Sequence, residues 1–350
     1  MKKIVYYLAA LAMMTACLVA SPDKVEAAGK KNITIVIDPG HGGPATVATN
    51  LGACYAGLQE KDMTLLTAMV VKQELEKYGN VTVYLTRNTD TELGIKNRIT
   101  FAQTVGADAV VSIHFNATSE HLLYGSEIFV PCAGLYSQGY SMASCVMKQW
   151  TSAGMTDKGI KTRIGKNGDY YGLIRYGAQA GIPTIILEHG YMDNFHDLPM
   201  LDDALDWQRL GVLDATGIAK YYGLKKGGTK ASVSPTVSIK APATIVVDDV
   251  TPPALAIQIN SYNAATGEVT YTLTGYEPES RLYMYGLSIG TTLDSAGRVI
   301  PLMNDLYKWG KGNTVTGKFM VPAGYVGPVN AVVYNNFNLP SNMVTAFVGN

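Results

Sequence analysis

Four side chains that can bind a metal ion or transfer a proton lie at or near the ends of short apolar runs. His41 follows the run ITIVID, His114 ends VVSIH, Glu188 ends TIILE, and Glu60 begins a helical pattern after the first run. Two imidazoles and one carboxylate suffice for a catalytic zinc site that leaves one position open for water. A second carboxylate can then act as the general base. The four residues together predict a zinc-dependent hydrolytic site.

The apolar runs have the character of strands that are buried on both faces. They are short, β-branched and apolar nearly throughout, as in a mostly parallel sheet, and they span 33–38, 81–87, 109–115, 126–131 and 184–188. Helical patterns alternate with them at 61–79, 94–106, 140–154 and 202–223. This alternation predicts a three-layer α/β domain with helices on both faces of the sheet. Ligands of such sheets gather where the strands end at their carboxyl edge, so the four residues are expected to converge there.

Two further polar residues accompany the predicted ligands. Asp38, in the loop DPGHGG, can accept a hydrogen bond from His41 and fix its tautomer, as metal-bound imidazoles commonly require. Asn116, two residues after His114, either orients the ligands or closes a turn.

The stretch 118–170 is rich in Gly and Tyr, and loops over this edge usually set specificity. Four of the residues there or next to it either line the cleft or pack on the surface: Lys158, Asn167, Tyr170 and Tyr171.

The composition changes after the α/β unit. Residues 225–235, KKGGTKASVSP, have no helical period and predict a linker. From 236 to 350 the chain consists of short β-like runs separated by Gly, Pro, Asn and Asp, which predicts an all-β, sandwich-like accessory domain. Its aromatic residues either contact a wall polymer or sugar faces, or pack in the core of a spacer or protein-contact domain: Tyr262, Tyr283, Tyr285, Tyr307, Trp309 and Tyr325.

The first 27 residues predict a secretory signal peptide, which leaves 28–224 as the catalytic domain. Lys2 and Lys3 precede an apolar segment, and a small-residue pattern ends at Ala27. The mature protein is therefore expected to be secreted and extracellular or wall-associated, with lipid anchoring at Cys17 the less favoured alternative. A net charge of zero offers no electrostatic case for nucleic acid, and no later apolar run is long enough to indicate an integral membrane partner. Cys132 and Cys145 either pair or are buried thiols.

Four ordered motifs resemble the zinc-dependent N-acetylmuramoyl-L-alanine amidases of the third amidase type. They cover about 33–222 and read DPGHGG at 38–43, GLQEK at 57–61, GAD leading into SIHFNA at 106–117, and EHGYMDN at 188–194. The resemblance implies that His41, Glu60 and His114 bind one Zn²⁺ and that Glu188 is the catalytic glutamate. It also implies a substrate contact for Arg175, in the motif Leu-Ile-Arg.

The activity implied by the resemblance is cleavage of peptidoglycan at the amide between N-acetylmuramic acid and the L-alanine of the stem peptide. Such an enzyme is a cell-wall hydrolase, or autolysin. Thr64, Lys158 and His189 depart from the residues usual in the family, which affects substrate contacts more than the chemistry. Two alternatives remain: a catalytically silent wall-binding protein, and a zinc carboxypeptidase of related fold.

Overall fold

The computed structural model describes residues 32–228, 235, 237–239, 249–293, 299–303 and 306–349, apart from the side chains of residues 48 and 49. The predicted signal peptide, residues 1–27 with Cys17, lies outside the described residues. So do residues 229–234 of the predicted linker. The boundaries proposed at 224 and 236 therefore stay predictions.

The first half of the chain alternates strands and helices. Its strands are β1 Ile33–Pro39, β2 Cys54–Tyr55, β3 Leu58–Gln59, β4 Val81–Leu85, β5 Ala109–Asn116, β6 Ser126–Phe129, β7 Asp157–Lys161, β8 Ile164–Gly165, β9 Gly168–Asp169 and β10 Thr184–Tyr191. Its helices are α1 Ala48–Leu51, α2 Glu60–Leu75, α3 Ile95–Thr104, α4 Tyr136–Ser152, α5 Gly172–Gln179 and α6 Ala204–Tyr222, with a short 3₁₀ turn at Leu198–Met200. Helix α6 ends where the sequence predicts, because Gly223 adopts the left-handed conformation (φ 61°).

Six strands form the central sheet in the order β4-β1-β5-β10-β6-β7. The first four run parallel, and β6 pairs antiparallel with β10 and parallel with β7. Side chains of one face, such as Ile35 and Val111, pack in a core with α2, α4 and α6. Side chains of the other face, such as Val36 and Val110, pack with α3 and α5. The predicted three-layer α/β architecture with a mostly parallel sheet is confirmed.

The edge strand β7 is absent from the sequence-based prediction. Its sequence, DKGIK, contains two lysines and a glycine, so it has no apolar β pattern. Lys158 and Lys161 are nevertheless buried, because they lie against Tyr191 and Glu127 and beneath the second domain. The suggestion that Lys158 lines the cleft or lies on the surface is therefore wrong.

The second half is built from β-sheets, as predicted. Its strands are β11 Ala254–Asn263, β12 Glu268–Tyr276, β13 Leu282–Ser288, β14 Thr291–Leu293, β15 Val299–Pro301, β16 Tyr307–Lys308, β17 Thr314–Met320, β18 Gly327–Asn335 and β19 Val344–Val348. Sheets β11-β12-β17 and β16-β13-β18-β19 share one core, with Val269 and Leu273 from one and Val329 and Val333 from the other. Most of the predicted aromatics pack in or against this region, and only Tyr307 is largely exposed (48%).

The two halves pack directly against each other. A small apolar cluster joins Leu123, Tyr124 and Tyr191 of the α/β unit to Tyr283 and Met284 of β13, together with Leu306. The Tyr283 hydroxyl donates to the carbonyl of Tyr124 (3.3 Å). The second domain is thus docked on the β6–β7 side of the sheet.

Two other predictions concern single features. Cys54, Cys132 and Cys145 are free thiols, so the alternative of a Cys132–Cys145 disulfide is not realised in this structure. Among the described residues, no helix has both the length and the apolar character needed to cross a membrane.

Candidate metal centre

Three of the predicted residues meet at the carboxyl end of the parallel strands. His41 lies in the loop after β1, Glu60 is the first residue of α2, and His114 is near the end of β5. The Glu60 carboxylate lies between the imidazoles, with Oε2 3.1 Å from His41 Nε2 and Oε1 3.0 Å from His114 Nδ1. One ligand atom from each residue lies within 4.8 Å of the others, a grouping that can hold a metal ion.

The backbone around the centre fixes Glu60 as a carboxylate. The amides of Ala53 and Phe115 donate to its two oxygens at 2.8 and 3.0 Å. Burial by itself would raise the pKa of Glu60, but the hydrogen bonds with His114 and His41 outweigh burial and hold this pKa below its ordinary value. An ionised carboxylate between two imidazoles is the donor set that Zn²⁺ prefers, so the residues present fit the metal.

Close approach of the backbone positions the imidazoles. A Cβ at Gly40 would lie 2.3 Å from Cε1 of His114, so only glycine leaves room for that ring. His41 itself adopts φ 59°, a conformation that non-glycine residues rarely take and that here sets it in the loop between Gly40 and Gly42. Gly40 in this loop therefore lets the backbone approach the ring of His114 closely.

Asp38 lies directly below the loop and is almost fully buried. Its carboxylate accepts hydrogen bonds from Arg98 Nη1 (2.7 Å), Thr86 Oγ1 (2.5 Å) and Ser112 Oγ (2.7 Å). Arg98 also donates to the carbonyls of Pro39 and His41. Asp38 thus holds the histidine loop through Arg98, and a direct orientation of the His41 ring by Asp38 stays a prediction.

Glu188 lies beside the candidate ligands. It pairs in register with His114 on the neighbouring strand and lines the same cleft, a cavity of about 610 Å³. Its Oε2 atom is buried with no hydrogen-bond partner among the described residues. Burial first, and then the charges of Glu60 and Glu127, raise the pKa of Glu188 well above its ordinary value. A carboxyl group in this environment is suited to take up and release a proton.

Glu127 is a buried acid that the sequence did not suggest. It is the register partner of Glu188 on β6 and forms a buried ion pair with Lys161. It also accepts a hydrogen bond from Asn116 Nδ2 (2.8 Å), which places Asn116 at the cleft wall. The sequence carries no clear signal for Glu127, because an acid inside a strand normally indicates an exposed face, and its burial depends on the pairing with Lys161.

The remaining predicted residues lie at varying distances from the cleft. Arg175 donates to the backbone carbonyls of Asp169 and Tyr170, so it supports the loop before α5, and its contact with substrate stays a prediction. Tyr171 lines the cleft, whereas Asn167 and Tyr170 are exposed. His189 points into the core, where its Nε2 lies 2.8 Å from Asp214 and its ring stacks on Phe115.

Comparison with known proteins assigns the α/β unit to a family. A profile of the family described as N-acetylmuramoyl-L-alanine amidase matches residues 35–220. That match spans more than half of the chain, and the chain belongs to this family.

Individual relatives agree with the family. The chain is 32% identical over 198 residues to the N-acetylmuramoyl-L-alanine amidase CwlM of Bacillus licheniformis. This match covers 55% of this chain and 70% of that protein. It is 32% identical to the probable cell wall amidase LytH of Staphylococcus aureus, over 54% of this chain and 58% of that protein. Among solved structures, the catalytic domain of CwlV from Bacillus (Paenibacillus) polymyxa is 30% identical over 54% of this chain and 97% of that domain, with a TM-score of 0.46.

Proposed function

We propose that this protein is a zinc-dependent hydrolase that cleaves the amide between N-acetylmuramic acid and the L-alanine of the peptidoglycan stem peptide. The observation that carries the proposal is the placement of Glu188 beside the His41–Glu60–His114 group in one cleft. Membership of the amidase family supports the choice of substrate bond. Three protein ligands and a neighbouring general base are the requirements of amide hydrolysis by a metal-activated water.

His41, Glu60 and His114 would hold the zinc ion. When bound, zinc lowers the pKa of a coordinated water to about 7 and polarises a carbonyl. Glu60 brings a negative charge to the group, and its two backbone donors leave the carboxylate little freedom to rotate. Gly40 has no Cβ and so leaves room for the His114 ring beside Glu60. Arg98 donates a hydrogen bond to the carbonyl of His41 and so holds the loop that carries this residue.

Glu188 supplies the acid–base chemistry. Its unpartnered Oε2 accepts a proton from the attacking water and returns it to the nitrogen of the leaving L-alanine. General acid–base catalysis of this kind contributes about 100- to 10,000-fold to the rate. Burial and the neighbouring acids raise the pKa of Glu188, which favours the protonated form that donates to the leaving nitrogen.

The substrate sets the place of action. Peptidoglycan lies outside the cytoplasmic membrane, so the proposal includes secretion of the mature chain through the predicted signal peptide at 1–27. The charge balance of the chain offers no electrostatic case for a polyanionic partner.

Incubation of the full mature chain with purified muropeptides tests the proposal. We expect zinc at one equivalent per chain and release of a peptide that begins with L-alanine, identified by mass spectrometry. Glu188→Gln should keep the zinc and lose at least about 100-fold in rate. Release of a C-terminal D-amino acid would indicate a carboxypeptidase instead. Wall binding with no released product would indicate a silent binding protein.

A further inference from the structure

A second cavity adjoins the catalytic cleft, between the two domains. Its volume is about 490 Å³, and it shares Asn116 and Tyr171 with the cleft that contains the metal group. The α/β unit contributes Glu127 and Arg163, whereas the second domain contributes Asp249 and residues 337–339. The second cavity therefore lies next to the metal cleft, in a space that the α/β unit alone does not enclose.

The second domain builds its side of this cavity rigidly. Asn335 is fully buried, and its Oδ1 accepts from the amides of Phe337 (3.0 Å) and Leu339 (2.9 Å). Its Nδ2 donates to Asp249 Oδ2 at 2.8 Å. Asn338, at the tip of this turn, adopts φ 69°, a conformation that asparagine tolerates better than most residues. The turn is therefore held in one shape before any ligand binds.

Two polar atoms of the cavity wall are left without hydrogen bonds. Asn338 Oδ1 and Thr118 Oγ1 are buried and have no partner among the described residues. Asn338 Nδ2 donates to the hydroxyl of Tyr191 (3.3 Å), so the amide oxygen is the atom of this side chain that is left without a partner among the described residues. A buried acceptor without a donor is costly, and such atoms are usually satisfied by a ligand or an ordered water.

The wall carries the acids Glu127 and Asp249 as well as the cations Lys161 and Arg163, and since Lys161 is paired with Glu127, a carboxylate of the ligand would be bound by Arg163. Arg163 packs its guanidinium on the ring of Tyr170 (3.8 Å) and brings a cation with five donors to this side. Phe129 and Phe337 add apolar surface. The glycan arm of the substrate offers mainly neutral hydroxyl and acetamido groups near the cleaved bond, since its lactyl carboxyl is consumed in that amide. The stem peptide offers both amide N–H donors and carboxylates.

We propose that this cavity is a subsite for the acidic stem peptide, in which Asn338 of the second domain accepts a peptide N–H and Arg163 binds a carboxylate. This inference rests on the proposed function, because the peptide is the arm that extends from the cleaved amide. The second domain is then part of the substrate-binding surface and not only a spacer or wall anchor.

Kinetics of the full chain with two soluble substrates test the subsite. One is a muramoyl pentapeptide, and the other is muramoyl-L-alanine, which has nothing to place in the cavity. We expect Asn338→Gly to lower the ratio of kcat/KM for the pentapeptide over muramoyl-L-alanine by about 3- to 10-fold, the effect of one hydrogen bond. Arg163→Gln should lower this ratio by at least about 10-fold, because a charged group is involved.

Asn80→Gly is the matched control, since Asn80 is also a left-handed asparagine (φ 64°) but lies at the opposite end of the sheet, before β4. It should leave the ratio unchanged. An unchanged ratio in Asn338→Gly and Arg163→Gln, with Glu188→Gln inactive, overturns the subsite while the proposed function stands.

A binding measurement separates the two proposals if neither substrate is cleaved. Calorimetry of Glu188→Gln with the free stem pentapeptide should give binding that Asn338→Gly weakens by about 3- to 10-fold. If Glu188→Gln binds the pentapeptide with the same affinity with and without Asn338→Gly, the subsite is overturned. Calorimetry of the same variant with a muramic acid disaccharide is the second measurement. Binding of the disaccharide that Asn338→Gly weakens, together with no binding of the pentapeptide, also overturns the subsite and assigns the cavity to the glycan arm.

Discussion

Glu188 and Glu127 are register partners on adjacent antiparallel strands, yet their surroundings move their pKa values in opposite directions. Both are buried, which raises a carboxyl pKa. At Glu127 the charges of Lys161 and Lys158 outweigh burial and lower the pKa. No cation among the described residues acts on Glu188 in this way, and the neighbouring acids add to the effect of burial on its pKa. The pair thus supplies one fixed anion and one group able to carry a proton, an arrangement typical of acid–base sites.

Gly40→Ala is expected to weaken metal binding. The added Cβ would meet the His114 ring at 2.3 Å, so the ring must leave its position beside Glu60. We expect zinc affinity, measured by competition with a chelator, to fall at least about 10-fold. Gly94→Ala is the control, because Gly94 lines the same cleft and its Cβ would meet only Asn97 Nδ2, at 3.8 Å. Equal zinc affinity in the two variants would contradict the prediction.

Asp214→Ala is expected to destabilise the α/β domain. The buried Asp214 carboxylate accepts from Trp150 Nε1 and contacts His189 Nε2, both at 2.8 Å. Its removal leaves two buried polar groups without partners, at a cost of about 2–5 kcal/mol in the free energy of unfolding. Urea denaturation measures this change. Asp202→Ala, at an exposed position, should change stability by less than about 0.5 kcal/mol.

Lys158 should make stability depend on pH. Burial, aided by the charge of Lys161 and opposed by Glu127 and Asp197, lowers the pKa of Lys158 from 10.5 to about 7. Between these pH values the unfolded chain binds more protons than the folded chain, so this group's contribution to stability rises with pH. The slope is at most about 1.4 kcal/mol per pH unit. Below pH 7 both states are protonated and the full penalty of the buried charge remains.

Lys158→Met isolates this contribution. The variant should gain stability relative to the parent protein at pH 6, and the gain should shrink as the pH rises to 9. Urea denaturation at each pH gives the difference between the two proteins. Lys318→Met, at an exposed side chain, should show no such trend. A difference for Lys158→Met that is constant from pH 6 to 9 would contradict the lowered pKa.

Tyr283→Ala is expected to uncouple the two domains. Tyr283 is buried (4% exposed) and packs against Tyr124 of the α/β unit at a ring distance of 6.2 Å. Loss of a buried aromatic side chain costs about 3 kcal/mol. Calorimetry should therefore show one transition for the parent protein and two for the variant. Tyr307→Ala, at a half-exposed position of the same domain, should keep the single transition.

The metal group was predictable from sequence because each member lies at or next to a strand end or helix start. Parallel strands bring such positions to one edge whatever lies between them in the chain. Glu127 and Lys161 were not predictable in this way, since charges inside strands normally indicate an exposed face. Their burial depends on pairing across β6 and β7. The wall contributed by Asn338 depends on the docking of two domains, which local patterns do not encode.

The docking of the second domain has a consequence for the free edge of β7. An edge strand offers unpaired backbone groups that can recruit another chain, and here Arg281 Nη2 donates to the carbonyl of Asp157 (3.0 Å), while Lys161 reaches the carbonyl of Asn336. The second domain therefore covers part of this edge strand, and we expect an α/β unit produced without it to be more prone to self-association.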